Sequence, residues 1–334
     1  MVERDDLSNI ELVKFAKENS AQRIVETPLL TNTSVNQIVG KNLFIKPECL
    51  QVTGSFKFRG AWSALSYMQK QDRKFNGVVA YSSGNHAQGI AAAAMIQKVP
   101  AVIIMPKDAP QIKIENTLSY GADVIFYDRL TEVREDIGQR IAKERNLKLI
   151  RPYDDPLVIA GQGTCGLEIA SQTKKLGITD AEVLVCCGGG GLSAGIAIAL
   201  EEYAPSFSIL TCEPKFFDDT ARSLKSGIRE LNTLSKNSIC DAILTPMPGE
   251  LTFPILQKLA GEGLVASDEE VLSAMKFLFE NFKLVAEPGG AIALAAALFS
   301  NKSLKKENII VVVSGGNVDS EMFTRALSSE SLSK

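Results

Sequence analysis

The chain has 334 residues, of which 45% are hydrophobic and 22% charged, with a formal net charge of −3. That length allows about two domains, and the composition is that of an ordinary soluble globular protein. Lysine and arginine are scattered without a basic block, which excludes a nucleic-acid footprint, and no apolar run reaches the roughly 18 residues of a membrane span; AIALAAALF (291–299) is about half that.

In chain order, the acidic and polar start MVERDDLSNIEL is unlike a targeting peptide, so a cytoplasmic location is expected. The run LFIKP (43–47) predicts the first strand, and GSFKFRG (54–60) follows it. Its lysine, Lys57, lies between two phenylalanines. Burying an ammonium group is costly unless it is paired or loses its charge. Lys57 is therefore either a partly desolvated amine available for chemistry or a snorkelling lysine whose stem covers apolar surface.

GVVAYSS (77–83), AVIIMP (101–106), ADVIFY (122–127) and LKLIRP (147–152) predict four further strands, with an amphipathic helix over TEVREDIGQRIAKER (131–145). AEVLVCC (181–187), FSILTCE (207–213) and NIIVVVSGG (308–316) predict three more. Glycine-bearing turns and Ala/Leu-rich helical segments separate them, which implies right-handed βαβ units, hence an α/β fold with open, mostly parallel sheets and helices on both faces. The compact set of strands over 77–150 reads as a smaller domain inserted into a larger one built from 1–76 and 151–334. Ligands in such sheets bind beyond the carboxyl ends of the strands.

Three strand ends carry chemistry. YSSGNHAQG (81–89) offers Ser82, Ser83, Asn85 and His86 at a strand-to-helix turn. These are donors for a carboxylate or ring oxygen, or else Ser83 or Asn85 caps the helix while His86 fills space. CCGGGGLSAGIAIAL (186–200) places Gly188, Gly189, Gly190 and Gly191 between a strand and a helix, where uncovered N–H groups and the helix N-terminus suit a phosphate. It lacks the Lys-[ST] of a nucleotide P-loop and the GxGxxG of a dinucleotide fold. VVVSGGNVD (311–319) ends the last strand on the hydroxyl of Ser314, beside glycines that admit a flat ligand, or is an ordinary strand-end turn. The six cysteines show no zinc spacing, and the single histidine, His86, excludes any mechanism needing two imidazoles. A buried lysine, a phosphate cup, a carboxylate loop and a strand-end hydroxyl are together the parts that pyridoxal phosphate needs.

SFKFRGA, SSGNHAQ, AGQGT, GGGG, EPGGAIALAA and SGGNVD, in that order between TPLL (27–30) and residue 319, resemble the fold-type II pyridoxal-phosphate enzymes. Within them, the chain is similar to the serine/threonine dehydratase and serine racemase group. The resemblance implies a tryptophan synthase β-subunit-like architecture with a mobile small domain, and a homodimer acting on a small amino acid, with neither nucleic acid nor membrane as partner. It implies that Lys57 is the Schiff-base lysine and that Phe56 lies against the cofactor ring. Asn85 would meet the phenolic oxygen, Gly188 to Gly191 the phosphate, and Ser314 the pyridine nitrogen. Ser82, Ser83, Asn85 and His86 would hold the substrate carboxylate, with Ser83 at the racemase acid/base position. Arg134, on the helix over 131–145, is expected either to face the cleft and grip acidic ligands or to pair with Glu135 on a solvated face.

The same pattern implies a magnesium or calcium ion held by Glu213, the carbonyl of Phe217 and Asp219; the other reading is that Asp218 and Asp219 cap the helix TARSLKSG. In one place the chain departs from the pattern. CDAILTPMPGELTF (240–253) puts Ala242 where many relatives have a cofactor-facing glycine, which leaves the substrate open. The expected reaction is loss of water and ammonia from a 3-hydroxy amino acid such as serine or threonine. The neutral Ser314 favours prompt β-elimination over a long-lived carbanion. Serine racemase and 3-hydroxyaspartate dehydratase are alternatives. A non-catalytic pyridoxal-phosphate or nucleotide binder is the reading outside this class, and it has no use for Lys57 or Ser83.

Overall fold

The computed structural model describes residues 9–20, 22–71, 75–82, 84–109, 111–232, 237–300 and 303–329. Ten strands occur among them: β1 (Leu30–Thr31), β2 (Asn42–Pro47), β3 (Val78–Tyr81), β4 (Ala101–Pro106), β5 (Asp123–Tyr127), β6 (Lys148–Leu149), β7 (Glu182–Cys186), β8 (Ser208–Pro214), β9 (Leu264–Ala266) and β10 (Asn308–Val313). Six form one sheet in the order β1-β2-β10-β7-β8-β9, and four form another in the order β5-β4-β3-β6. Every pairing is parallel except β1 with β2. The fold is therefore α/β with parallel-dominated sheets.

The strands follow from composition. All five residues of β7 are buried, as are all six of β4, so both of their faces are covered. A strand buried on both faces reads as a continuous apolar run without alternation. Strands β1 and β9 have two and three residues and carry no such signal. Strand β6 covers only Lys148–Leu149 of the run LKLIRP, although the Ile150 N–H still donates to the Val79 carbonyl at 2.9 Å.

Helices fill the crossovers. The helix Pro156–Lys175 starts at Asp155, whose side chain accepts from the N–H groups of Leu157 and Val158, with Pro156 in the first turn. The amphipathic segment forms the helix Arg134–Glu144.

Topology then places the site. In the large sheet the chain proceeds from β7 to β8 and β9 on one side while β10 lies on the other. In the small sheet β4 and β5 lie on one side of β3 and β6 on the other. Ligands collect where strand order reverses in this way, beyond the strand carboxyl ends. The turns after β7 and β10 carry Gly188 to Gly191 and Ser314, and those after β3 and β6 carry Ser82, Asn85 and Tyr153.

Candidate active site

One cavity is lined by Phe56, Lys57, Ser82, Asn85, His86, Arg134, the four glycines Gly188 to Gly191 and Ser314. Sequence reasoning chose all of these. Ser83 lies outside the described residues.

Lys57 opens the helix Lys57–Gln71. Backbone pairing seats it: Ser55 bridges Gly315, and the N–H of Phe56 donates to the carbonyl of Ser314 at 3.0 Å. This brings the lysine segment against the end of β10. The Lys57 Nζ lies 4.8 Å from the centre of the Phe56 ring and donates to the Pro152 carbonyl at 3.2 Å. Loss of hydration lowers its pKa from 10.5 to about 8. Burial of the amine as a whole, with the Phe56 ring as one wall, thus favours its neutral form.

Two helix N-termini face this cavity, and among the described residues no side chain caps either. The helix Asn85–Gln97 has Gly84 at its N-cap, and the helix Gly191–Tyr203 has Gly190, with φ +90°, a conformation that glycine adopts without strain. Uncapped N–H groups with the helix dipole behind them form an anion site. A Cβ on Gly189 would meet the Tyr153 ring at 2.2 Å, so only glycine fits between that ring and the loop. The alternative that Asn85 caps its own helix does not hold.

His86 is buried, and burial, with Lys57 second, lowers its pKa to about 3. Its Nε2 faces the Ile150 carbonyl at 3.3 Å, which can only accept, so the proton sits on Nε2. Nδ1 is buried without a hydrogen-bond partner among the described residues and offers a lone pair. The imidazole is thus an acceptor at Nδ1, and the donors for a carboxylate in this turn are backbone N–H groups and the Ser82 hydroxyl.

Arg134 lies in the cavity wall and is also paired with Glu135. It stacks 5.3 Å from the Tyr81 ring and donates through Nε to Glu135 at 2.8 Å. Ala242 also lies in the wall.

Glu213, Phe217 and Asp219 are buried away from this cavity. Asp218 holds the N-cap position of the helix Asp219–Ser226 without a side-chain cap bond. Glu213 instead accepts from the N–H groups of Thr220 at 2.8 Å and Ala221 at 2.7 Å. Asn232 donates to Asp219 Oδ1, while Oδ2 is buried with no hydrogen-bond partner among the described residues. Burial raises both carboxyls, Asp219 to about 7, and the nearby Asp219 pushes Glu213 further. No group of three His, Cys, Asp or Glu residues suited to a metal occurs among the described residues.

Sequence reasoning missed Glu287, Lys113, Tyr153 and Cys186 in the cavity wall. Burial raises Glu287 to about 7, with Lys113 opposing. Its signal was the EPGG motif itself, a carboxylate fixed at the start of a wholly apolar helix.

The family described as pyridoxal-phosphate dependent enzyme matches residues 21–315, and the chain belongs to it. It is 42% identical over 302 residues to an L-threo-3-hydroxyaspartate ammonia-lyase of a Pseudomonas species, covering 90% of this chain and 92% of that protein. It is 36% identical to an L-threonine ammonia-lyase of Thermotoga maritima, covering 95% of this chain and 78% of the other. The structure of maize serine racemase superimposes with a TM-score of 0.88 at 36% identity, covering 96% of this chain and 97% of that one. The chain is thus an enzyme of the pyridoxal-phosphate lyase and racemase group, with the fold-type II architecture of its neighbours.

Proposed function

We propose that the protein is an ammonia-lyase that converts a 3-hydroxy amino acid to a 2-oxo acid and ammonia, and that the dicarboxylic 3-hydroxyaspartate is a better substrate than serine. The observation that carries this reading is Arg134 in the wall of the cavity that holds Lys57. In this reading the Gly188 to Gly191 loop holds the cofactor phosphate on the helix N-terminus, Phe56 lies against the ring, Asn85 meets its phenolic oxygen and Ser314 its nitrogen. When bound, pyridoxal phosphate supplies the electron sink for charge left at Cα. Ser82 and the uncapped helix at Asn85 hold the substrate carboxylate, with His86 completing the turn. The neutral Lys57 amine would take the Cα proton and, as an ammonium, return one to the departing β-hydroxyl, which leaves as water. Addition of water to the resulting imino acid would then release the 2-oxo acid and ammonia. The bond from Arg134 to Glu135 uses Nε alone, so the terminal nitrogens serve the second carboxylate.

Arg134→Ala should lower kcat/KM for 3-hydroxyaspartate about 10- to 100-fold more than for serine, the range of one to two hydrogen bonds to a charged group. Malonate should inhibit the wild type competitively. Equal losses for the two substrates return Arg134 to a structural role.

A second reading, serine racemase, is favoured by the maize enzyme's likeness. It requires Ser83 to act opposite Lys57, and chiral analysis of serine after incubation tests it.

Magnesium or calcium at Glu213, the Phe217 carbonyl and Asp219 belongs to the same proposal. The Oδ2 of Asp219, buried without a hydrogen-bond partner among the described residues, supports it, since oxygen ligands suit these ions. Chelation should lower the melting temperature and activity together, and either ion should restore both. No response to thorough chelation leaves Glu213 as a helix cap alone. The division at 77–150 into a small mobile domain is supported by β3 to β6 lying inside that range. A homodimer and a cytoplasmic location complete the reading; no helix among the described residues is long and apolar enough to cross a membrane.

A further inference from the structure

Glu287 is 2% exposed, and among the described residues the one basic group paired with it is the Lys113 Nζ, 3.8 Å from Oε2. Burying a carboxylate is costly unless it is paired and hydrogen-bonded. It occupies the N-cap position of the helix Pro288–Phe299, yet its side chain makes no cap bond. It turns instead to Asn85, whose Nδ2 donates to Oε1. The Asn85 Oδ1 accepts from Asn317 Nδ2 at 2.8 Å, and Asn317 Nδ2 also donates to the Thr53 carbonyl at 2.8 Å.

These contacts remove a degeneracy. A carboxamide presents two N–H donors and two acceptor lone pairs, and rotation by 180° exchanges its ends. The rotated Asn85 would set its oxygen against a carboxylate and its N–H groups against the amide donor of Asn317. Both contacts would be repulsive, so a single orientation survives. One N–H of Asn85 then remains for the cavity it lines. The adjoining glycine fits the same account. A Cβ at Gly315 would lie 2.1 Å from Glu287 Oε1 and 3.3 Å from Asn85 Nδ2, so a side chain there would drive the pair apart.

We propose that Glu287 is a positioning residue that, with Asn317, locks the Asn85 carboxamide so that its free N–H meets the ring oxygen of the cofactor. Lys113 comes from the helix Gln111–Ser119, between β4 and β5, and its charge helps hold Glu287 in place; its closer partner is Asp241, at 2.9 Å. This inference rests on the reading that Asn85 contacts the cofactor, and the test separates the two.

The measurement is the affinity of the apoprotein for pyridoxal phosphate, read by absorbance and by quenching of the fluorescence of the sole tryptophan, Trp62. Asn85→Ala and Glu287→Leu should each weaken binding about threefold to tenfold, the worth of one hydrogen bond. The double variant should be no weaker than Asn85→Ala alone, because Glu287 acts only through Asn85. Glu287→Gln, which keeps an acceptor at Oε1, should stay within about threefold of wild type. Asn317→Asp, which puts an acceptor against Oδ1, should mimic Glu287→Leu and likewise lose its effect in the Asn85→Ala background; it carries the test if Glu287→Leu does not fold. Multiplying losses in the double variants overturn the positioning role while leaving Asn85 at the cofactor. An unchanged affinity in Asn85→Ala overturns the contact itself and this inference with it.

Discussion

Arg59→Ala is expected to destabilise the protein by about 3–5 kcal/mol, the cost of stripping one partner from a buried ion cluster. Arg59 is fully buried two residues beyond Lys57 and holds two carboxylates in parallel forks. It donates to Glu48 at 2.6 and 2.8 Å and to Glu168 at 2.7 and 2.8 Å. Lys46, also buried, donates to Glu168 at 2.7 Å and to the Thr27 carbonyl at 2.6 Å. Two cations thus face two anions, and removing Arg59 leaves an uncompensated negative charge in the core. Burial alone would raise Glu48, but Arg59, with Lys46 behind it, holds its pKa below the ordinary 4.5. Because the folded value is the lower one, this part of the stability is whole above pH 4.5 and is lost as pH falls through the lowered value. Urea unfolding at pH 7 and pH 4 measures both effects. A loss under about 1 kcal/mol at pH 7 contradicts the cluster's role.

Lys57→Ala is expected to cost about 10²- to 10⁴-fold in kcat, the range for removing a positioned general base. The lowered pKa gives a separate readout. At pH 7 roughly a tenth of an amine with a pKa of about 8 is neutral, against less than a thousandth for an ordinary lysine. Only the neutral amine attacks an aldehyde, so the rate at which apoprotein takes up pyridoxal phosphate should rise with pH through about 8 and then level. A rate that climbs without levelling to pH 10 means that burial does not tune this lysine.

Lys57 and the four glycines were legible in the sequence as cavity-lining residues because each advertises a local conflict or an entropic cost, whereas Ser314 stood out only by its place at a strand end. A charge between phenylalanines and a run of glycines after a strand both require local explanation. Parallel strands β4, β7 and β10 were legible for the same reason, as unbroken apolar runs. The EPGG motif marks Glu287, but its contact was not legible, because its partner Asn85 is 202 residues away and only the fold brings them together. The same holds for Arg59 and Glu168, separated by 109 residues. Asp218 looked like a helix cap because aspartate before a helix usually is one. Glu213, reaching across from β8, satisfies those N–H groups first. Arg134 was ambiguous in the sequence since an arginine can pair with Glu135 and still present its outer nitrogens to a cavity.

The central claim is that Lys57 is the amine that holds pyridoxal phosphate. Borohydride reduction of the reconstituted protein, followed by proteolysis and mass spectrometry, tests it most directly. The account predicts a yellow protein that loses its colour on reduction and carries the reduced pyridoxyl group on the peptide containing Lys57. A protein that stays colourless with the cofactor, or one labelled at another lysine, would contradict it.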